Sequence, residues 1–274
     1  MAPKWAEPPI KNILLDINGV LFESGEDHAI EGSVDALKRL VDNGFQFCLV
    51  TNECTTAKRL LAQKLKNFGY DCISQDKIIS PAPAACQYLI NHQLRPRLHV
   101  WDGIKEDFEP ALEKFKGSKD PVNCLVVGDV MSKLSREFMD ESLEIILNCP
   151  GTPKIVSLGA GRYYKDSGKL RMDTGAYVAA FEYCLGVKAV NLGKPTAEFF
   201  NQALRVVGGT PADTIMIGDD IVSDVGGAQA MGMRGFLVRT GKYKPTDETE
   251  RGVVAEGVFD NLKDAVDKLL MVNE

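Results

Sequence analysis

Four short motifs place polar or charged side chains directly after apolar segments. These side chains are of the types that bind phosphate, bind a metal ion or act as nucleophiles. They are Asp16 with Asn18 in LLDINGVL, Thr51 with Asn52 in LVTNE, Lys194 in GKP, and Asp219, Asp220 and Asp224 in GDDIVSD. A carboxylate at the end of a buried strand is costly unless another group pairs with it. Asp16 therefore needs a partner.

We expect these side chains to converge, because the carboxyl ends of the strands in a doubly wound sheet all open onto one crevice. Carboxylates crowded at such a crevice repel one another unless a divalent cation lies between them. A set of oxygen ligands that leaves room for water and phosphate is typical of Mg²⁺. The pattern predicts a magnesium site beside a phosphate site.

Each motif also has a purely structural interpretation. Asp16 can belong to a turn, and residues 51–52 can form a turn that begins a helix. Ser223 or Asp224 can cap a helix, and Lys194 can be a solvated lysine ahead of a proline in a first helical turn. Because all four motifs occur in order, each at the end of an apolar strand, coincidence is the weaker explanation.

Strand-like and helical segments alternate along the first third of the chain, which is typical of βαβ units and a mostly parallel sheet. Ser33 is the expected N-cap of the first helix. The positions expected to be buried on the first two helices are Val34, Leu37, Leu40, Val41, Leu60, Leu61, Leu65 and Phe68. The predicted fold class is α/β, with a doubly wound, Rossmann-like parallel-sheet core and an inserted α/β cap domain.

The inserted domain is predicted from a break in the pattern. Pro81 and Pro83 disfavour a continuing helix at this point, and a second alternation of strands and helices follows. We predict a first core segment over residues 1–83, an inserted cap over 84–188 and a second core segment over 189–274.

Composition excludes some classes of protein. The 274 residues carry a net charge of −6 and give a pI near 5.3, which argues against a nucleic-acid binder. The seven cysteines are scattered and never spaced Cys-x-x-Cys, so neither a disulfide framework nor a zinc site is indicated. No apolar run has the length of a signal peptide or a membrane span. We expect a protein located in the cytoplasm, or in both the cytoplasm and the nucleus. We expect no membrane partner.

The four motifs LLDINGVL, LVTNE, GKP and GDDIVSD resemble the four ordered motifs of the haloacid dehalogenase superfamily. The large insertion between the second and third motifs is similar to that of its phosphatases of the 4-nitrophenylphosphatase type. The resemblance continues through PAPAACQ, GAGRYYKDSG and GKPTAEFF and covers nearly the whole chain. It implies a phosphatase that uses Mg²⁺.

The resemblance also implies a role for each motif residue. Asp16 would be the nucleophile that forms an aspartyl-phosphate, which water then hydrolyses, and Lys194 would be the second catalytic residue. The residues expected to bind substrate are Asp16, Ile17, Asn18, Thr51, Asn52 and Lys194. The expected metal ligands are Asp16, the Asn18 backbone carbonyl and Asp219, and the carboxylates expected just outside them are Asp220 and Asp224.

Asn18 departs from the superfamily pattern, in which most phosphatases have an aspartate that serves as general acid and base. An amide cannot carry out this proton transfer, and its loss typically costs about 10²–10⁴-fold in rate. Phosphoramidates such as phospholysine and phosphohistidine can be protonated on nitrogen without an enzymic acid, and pyrophosphate leaves as a stabilised anion. Asn18 therefore favours phosphoramidates and inorganic pyrophosphate as substrates.

Two other functions stay open at this point. One is a phosphatase for small metabolites such as sugar phosphates or nucleotides. The other is a catalytically silent member that binds phosphorylated ligands. The expected partners are small phosphorylated substrates, phosphorylated protein side chains among them, and a second copy of the chain in a homodimer.

The cap should decide specificity, and the stretch to watch in it is GAGRYYKDSG. Arg162, Tyr163 and Tyr164 could reach a substrate from this stretch. Tyr and Lys beside a glycine-rich turn also describe an exposed hairpin, which is the stronger interpretation.

Overall fold

A computed structural model describes residues 3–273 of the chain. Residues 1, 2 and 274, which the predicted core segments include, lie outside the described residues. The strands are β1 (Asn12–Leu15), β2 (Gln46–Val50), β3 (Ile78–Ile79), β4 (Pro96–His99), β5 (Cys124–Val127), β6 (Lys154–Ser157), β7 (Tyr163–Asp166), β8 (Lys169–Met172), β9 (Val190–Asn191), β10 (Thr214–Gly218), β11 (Arg234–Val238) and β12 (Gly257–Phe259). The helices are α1 (Ser33–Asp42), α2 (Lys58–Asn67), α3 (Pro81–Asn91), α4 (Glu109–Lys114), α5 (Arg136–Leu147), α6 (Thr174–Leu185), α7 (Ala197–Val207), α8 (Gly227–Ala230) and α9 (Leu262–Asn273).

The core is a six-stranded parallel sheet in the order β12-β11-β10-β1-β2-β3 with helices on both faces. Side chains alternate between the faces of a strand. Ile13 of β1 therefore packs in the cluster that contains Leu37 of α1 and Leu61 of α2. Its neighbour Leu14 packs on the opposite face, in the cluster that contains Phe200 of α7. The predicted doubly wound α/β core is confirmed.

The register of the central strands aligns their carboxyl ends. Leu15 of β1 lies opposite Ile217 of β10 and opposite Leu49 of β2. These three strands end at nearly the same level, so the residues just beyond them meet at one edge of the sheet. In three of the four motifs, the residues predicted to carry chemistry follow these strands directly.

A second parallel sheet, in the order β4-β5-β6-β9, forms its own layered unit. Val126 packs with α3 on one face of this sheet, and Val127 packs with α6 on the other. The antiparallel hairpin β7–β8 is a separate two-stranded element inserted after β6. These elements form the additional α/β unit that the sequence predicts as a cap.

The predicted domain bounds stay a prediction, although the secondary structure differs from expectation near both of them. Helix α3 begins at Pro81, because proline is tolerated at the first helical position, so the bound between residues 83 and 84 falls inside a helix. Strand β9 pairs with β6 in register Val156↔Val190. The second sheet therefore includes residues 190–191, which lie just beyond the predicted end of the cap at residue 188.

Three details predicted for the first two helices are wrong. Gly32, with φ of 77°, is the N-cap of α1, and the buried Ser33 hydroxyl instead contacts the Ile30 carbonyl and the Tyr70 hydroxyl. Val41 is 37% exposed, because the buried face of α1 is centred on Leu37 and Leu40. Leu60 is 41% exposed, because the buried face of α2 is centred on Leu61 and Leu65.

Within residues 3–273, no helix combines the length and the apolar character needed to cross a bilayer. All seven cysteines are free thiols, in agreement with the absence of a disulfide pattern in the sequence. The expected cytoplasmic location and homodimer stay predictions.

Candidate active site

Lys194 lies between two buried carboxylates at the carboxyl edge of the core sheet. Its Nζ is 2.8 Å from Asp16 Oδ1 and 2.7 Å from Asp224 Oδ1, and it donates a hydrogen bond to the Val50 carbonyl at 3.0 Å. Burial alone would lower the pKa of Lys194, but the charges of Asp16 and Asp224 outweigh it and raise the pKa above its ordinary value. The lysine is therefore a fixed positive charge beside the predicted nucleophile.

The predicted placement of Lys194 at the end of a core strand is wrong. The preceding strand β9 belongs to the second sheet, and Lys194 lies in the linker between β9 and α7. Asn52 contacts the backbone of this linker at two points. Its Oδ1 accepts a hydrogen bond from the Lys194 N–H at 2.7 Å, and its Nδ2 donates to the Lys194 carbonyl at 3.2 Å. The Asn52 side chain thus positions the lysine.

Asp219 has a buried carboxylate oxygen without a hydrogen-bond partner in the part of the chain that the structure describes. This atom is Oδ1, whereas Oδ2 accepts from the Lys242 backbone N–H at 2.7 Å. Asp16, Asp219 and Asp224 each offer an oxygen, and these atoms lie within 4.8 Å of one another. Burial raises the pKa of Asp219 well above its ordinary value, against the opposing charge of Lys242. This unpaired oxygen in a carboxylate cluster fits a divalent cation.

Two glycines make room for Asp219. Gly19 and Gly241 have positive φ values of 85° and 61°, which other residues rarely adopt. A Cβ atom at either position would overlap Asp219 Oδ2. The Asn18-Gly19 sequence after β1 therefore serves close packing at the carboxylate as well as turn formation.

Asp220, and not Ser223 or Asp224, caps the helical turn that follows β10. Asp220 Oδ1 accepts from the backbone N–H groups of Val222 at 2.9 Å and Ser223 at 3.1 Å, and its Oδ2 lies 2.8 Å from Lys242 Nζ. Burial would raise the pKa of Asp220, but the charge and hydrogen bond of Lys242 with the two backbone N–H groups lower it. Asp220 is thus a capping and ion-pairing residue.

Asp224 is fully buried and faces the site. Its Oδ2 accepts from the Asp220 backbone N–H at 3.1 Å, and its Oδ1 faces Lys194. Burial raises the pKa of Asp224 although Lys194 acts to lower it. Asp224 therefore fixes both the ammonium of Lys194 and the turn that carries Asp220.

Two further predicted residues lie beside Asp16. The Ile17 backbone N–H donates to Asp16 Oδ1 at 2.8 Å, whereas the Ile17 side chain is buried in the core. Thr51 is buried, and its Oγ1 accepts from the Glu53 N–H at 2.9 Å, so its hydroxyl can still donate to a ligand. Ile17 can take part only through its backbone.

The Asn18 side chain uses both of its N–H bonds within the protein. Nδ2 donates to Ser24 Oγ at 3.1 Å and to Glu53 Oε2 at 3.2 Å. Its other atom, Oδ1, is buried and has no hydrogen-bond partner among residues 3–273.

The site lies in a cleft of about 310 Å³ between the core sheet and the cap. Core residues that line it include Asp16, Asn18 and Lys194, and cap residues that line it include Asp129 and Tyr164. This volume is at the lower end for small-molecule sites. The cleft therefore suits a compact ligand.

The GRYY stretch divides between two cavities. Tyr164 lines the main cleft, whereas Arg162 and Tyr163 line a neighbouring pocket. Tyr163 lies on the hairpin, and its hydroxyl accepts a hydrogen bond from Lys244 Nζ at 2.9 Å. The hairpin that the sequence predicts is therefore present, and its residues Tyr164, Lys165 and Asp166 line the cleft.

Sequence reasoning missed several residues of the site. Glu53 contacts Asn18, Lys242 pairs with Asp220, and Asp129 and Asp173 line the cleft from the cap. The position of Glu53 directly after the Thr51-Asn52 pair was the available signal for that residue. The other three come from distant segments that the fold alone brings together.

This fold and site define a class of hydrolases. A family model described as haloacid dehalogenase-like hydrolase matches residues 13–114, and a related model of the same class matches residues 191–265. The chain belongs to the haloacid dehalogenase-like hydrolases, and the prediction that it is a phosphatase of this class is confirmed.

Similar proteins extend over nearly the whole chain. The phospholysine phosphohistidine inorganic pyrophosphate phosphatase of Homo sapiens is 42% identical over 274 residues and covers 98% of both chains. Its namesake from Xenopus laevis is 42% identical over 269 residues, which is 97% of this chain and 96% of the relative. The p-nitrophenyl phosphatase from Archaeoglobus fulgidus has a similar fold, with a TM-score of 0.81, 24% identity and coverage of 95% of this chain and 99% of that chain.

Proposed function

We propose that this protein is a magnesium-dependent phosphatase that hydrolyses phospholysine, phosphohistidine and inorganic pyrophosphate through an aspartyl-phosphate on Asp16. The observation that carries the proposal is the position of Lys194 Nζ, 2.8 Å from Asp16 Oδ1, in a cleft with Asp219 Oδ1, which has no hydrogen-bond partner among residues 3–273. The substrates are supported by the names of relatives that are 42% identical over nearly the full chain.

The chemistry of Asp16 follows from its contacts. Both Ile17 N–H and Lys194 Nζ contact Oδ1, so we assign the attack on phosphorus to Oδ2. The new Asp16–phosphorus bond forms as the bond from phosphorus to the leaving nitrogen or oxygen breaks, and the electron pair departs with the leaving group. Water then attacks phosphorus, releases phosphate and restores the carboxylate.

Lys194 and Thr51 would hold the transferred phosphoryl group. The Lys194 ammonium offsets the charge on phosphate oxygens, and the Thr51 hydroxyl can donate a hydrogen bond to one of them. Asn52 contributes through the backbone of Lys194, because both ends of its side-chain amide are engaged there.

The residues that would hold Mg²⁺ are Asp16, Asp219 and the Asn18 backbone carbonyl. A bound Mg²⁺ would neutralise charge that otherwise repels an anionic substrate. Asp220 and Asp224 keep this region in place through the cap of the turn after β10 and through the ion pair with Lys194.

Asn18 supports the choice of substrate class. Its amide offers no proton to a leaving alkoxide, so sugar phosphates would be poor substrates. Phosphoramidates can be protonated on nitrogen without an enzymic acid, and phosphate is a stabilised leaving group. The proposal also includes phosphorylated protein side chains as substrates, a cytoplasmic location with a nuclear pool, and a homodimer.

The test is release of inorganic phosphate from phospholysine, phosphohistidine, pyrophosphate and a sugar phosphate, with Mg²⁺ or with EDTA. We expect Mg²⁺-dependent release from the first three and a loss of more than about 10³-fold in Asp16→Asn. The exposed Asp27→Asn is the matched control. Fastest release from the sugar phosphate would overturn the substrate class, and no release from any compound would overturn the whole proposal.

A further inference from the structure

Glu53 has no role in the mechanism proposed above, yet several hydrogen bonds fix the position of its carboxylate. Its Oε1 accepts hydrogen bonds from the Thr55 N–H at 2.6 Å, the Thr55 hydroxyl at 2.5 Å and the Thr56 N–H at 3.1 Å. These three donors leave Oε2 to face Asn18, where it accepts from Nδ2 at 3.2 Å. Glu53 is therefore a fixed acceptor beside the residue that departs from the superfamily pattern.

This arrangement decides which end of the Asn18 amide faces its neighbours. A carboxylate only accepts hydrogen bonds, so it repels the amide oxygen and attracts the amide nitrogen. Ser24 Oγ takes the second N–H bond at 3.1 Å. The opposite orientation would turn Oδ1 toward a carboxylate and leave two N–H bonds without these acceptors.

The fixed amide leaves a buried acceptor unused. Asn18 Oδ1 has no hydrogen-bond partner within the described residues, although Asn18 lines the cleft that contains Asp16 and Lys194. A buried acceptor without a partner is costly and calls for a ligand, a water or a functional reason. Asn18 follows Asp16 by two residues, and both residues line this cleft.

We propose that Glu53, with Ser24, is a positioning residue that presents Asn18 Oδ1 as a hydrogen-bond acceptor for an N–H group on the leaving nitrogen, and thereby selects phosphoramidates that carry hydrogen on that nitrogen over pyrophosphate. The inference rests on the proposed function and deepens it. The nitrogen bonded to phosphorus in phosphoramidate or phospholysine carries hydrogen and can donate to Oδ1. The bridging oxygen of pyrophosphate has only lone pairs, which Oδ1 repels.

The Glu53→Gln substitution should reverse the orientation of the Asn18 amide. The glutamine oxygen can keep the three donors from Thr55 and Thr56, and its Nε2 then points at Asn18 as a donor. Asn18 must turn its oxygen toward Gln at position 53 and its nitrogen toward the cleft. The variant therefore offers a donor to the leaving group where the wild-type protein offers an acceptor.

The experiment measures kcat and KM for phosphoramidate and for pyrophosphate in the wild type and in Glu53→Gln. We expect the ratio of kcat/KM for phosphoramidate to that for pyrophosphate to fall by about tenfold or more, the effect of one hydrogen bond gained or lost. Ser24→Ala, which leaves the Glu53 turn unchanged, should lower the same ratio by a smaller factor. The exposed Glu113→Gln is the control for loss of a carboxylate and should leave the ratio unchanged.

A double-mutant cycle separates positioning from a general structural effect. In an Asn18→Ala background, Glu53→Gln should no longer change the ratio, because the amide that it orients is absent. An equal fall for both substrates, or the same change of ratio in both backgrounds, would overturn the inference and leave the proposed function intact. Absence of wild-type turnover on both substrates would overturn the proposed function and this inference with it.

Discussion

The side-chain amide of Asn52 forms two hydrogen bonds with the backbone of Lys194, one to its N–H at 2.7 Å and one to its carbonyl at 3.2 Å. The linker that carries Lys194 belongs to no strand or helix. The position of the ammonium beside Asp16 therefore depends on a side chain from the loop after β2, and the two motifs act as one structural unit.

Asn52→Leu should slow the reaction without removing any charged group. Leucine has a similar size but offers no hydrogen bond, so Lys194 would shift relative to Asp16. We expect kcat to fall by about 10–100-fold, the typical cost of a small misplacement in an active site, with little change in the Mg²⁺ concentration for half-maximal activity. Steady-state kinetics check this. Asn91→Leu, on an exposed helix end, is the control, and an unchanged kcat in Asn52→Leu would contradict the positioning role.

Gly241→Ala should disturb metal binding specifically. The added Cβ would overlap Asp219 Oδ2 and displace the carboxylate. Gly208→Ala is a matched control, because its φ of 66° is close to the 61° of Gly241 and a Cβ there meets open space. Both variants should lose about 1 kcal/mol of stability from backbone strain. Only Gly241→Ala should raise the Mg²⁺ requirement, measured by titration of activity and by calorimetry, and equal requirements would refute the prediction.

Asn18→Asp should broaden the substrate range toward alkyl phosphates. The new carboxyl group would lie beside Glu53, and the like charge would raise its pKa and favour a protonated, donating form. We expect kcat/KM for a sugar phosphate to rise by about 10²-fold, within the range for general acid catalysis. The measurement is phosphate release as a function of leaving-group basicity, and no gain on the most basic leaving groups would count against the interpretation of Asn18.

His99 should make the folded state less stable in acid. It is fully buried, stacks on Phe138 and lies 2.9 Å from the Ser142 hydroxyl. Burial, assisted by the charge of Arg97, lowers the pKa of His99 from 6.5 to about 4. Between these values the unfolded chain binds a proton at this position and the folded protein does not. The contribution is therefore complete above pH 6.5 and is lost as the pH falls toward 4, with a total of at most about 3 kcal/mol.

Denaturant unfolding between pH 4 and 7 tests this dependence. The free energy of unfolding of His99→Gln should vary less steeply with pH than that of the wild type, whatever its value at pH 7. His28 is exposed, so His28→Gln should keep the wild-type slope. Identical slopes for wild type and His99→Gln would show that another group controls acid unfolding.

The core and the convergence of its motifs could be predicted because the signals are local. An apolar run such as residues 13–15 predicts a buried strand, and parallel strands in a common register bring Asp16 and Asp219 to one edge. The same reasoning gave the wrong position for Lys194, which does not follow a core strand. The strand before it, β9, contains only Val190 and Asn191, and only its pairing with β6 assigns it to the second sheet.

The side-chain contacts of the site could not be predicted from the sequence, for a different reason. The contact of Glu53 with Asn18 joins residues 35 positions apart, and that of Lys242 with Asp220 joins two loops. Such contacts depend on rotamers and loop paths that carry no periodic signal. Asp220 illustrates the limit, since metal support and helix capping were equally compatible with its position, and its hydrogen bonds identify it as the cap.

Ser24 connects the two halves of the molecule, because its carbonyl accepts a hydrogen bond from the Ser167 N–H of the hairpin at 3.2 Å while its hydroxyl contacts Asn18. A movement that separated the hairpin from the core would break the first of these bonds at the residue that makes the second. We therefore expect such a movement to change the surroundings of the Asn18 amide as well.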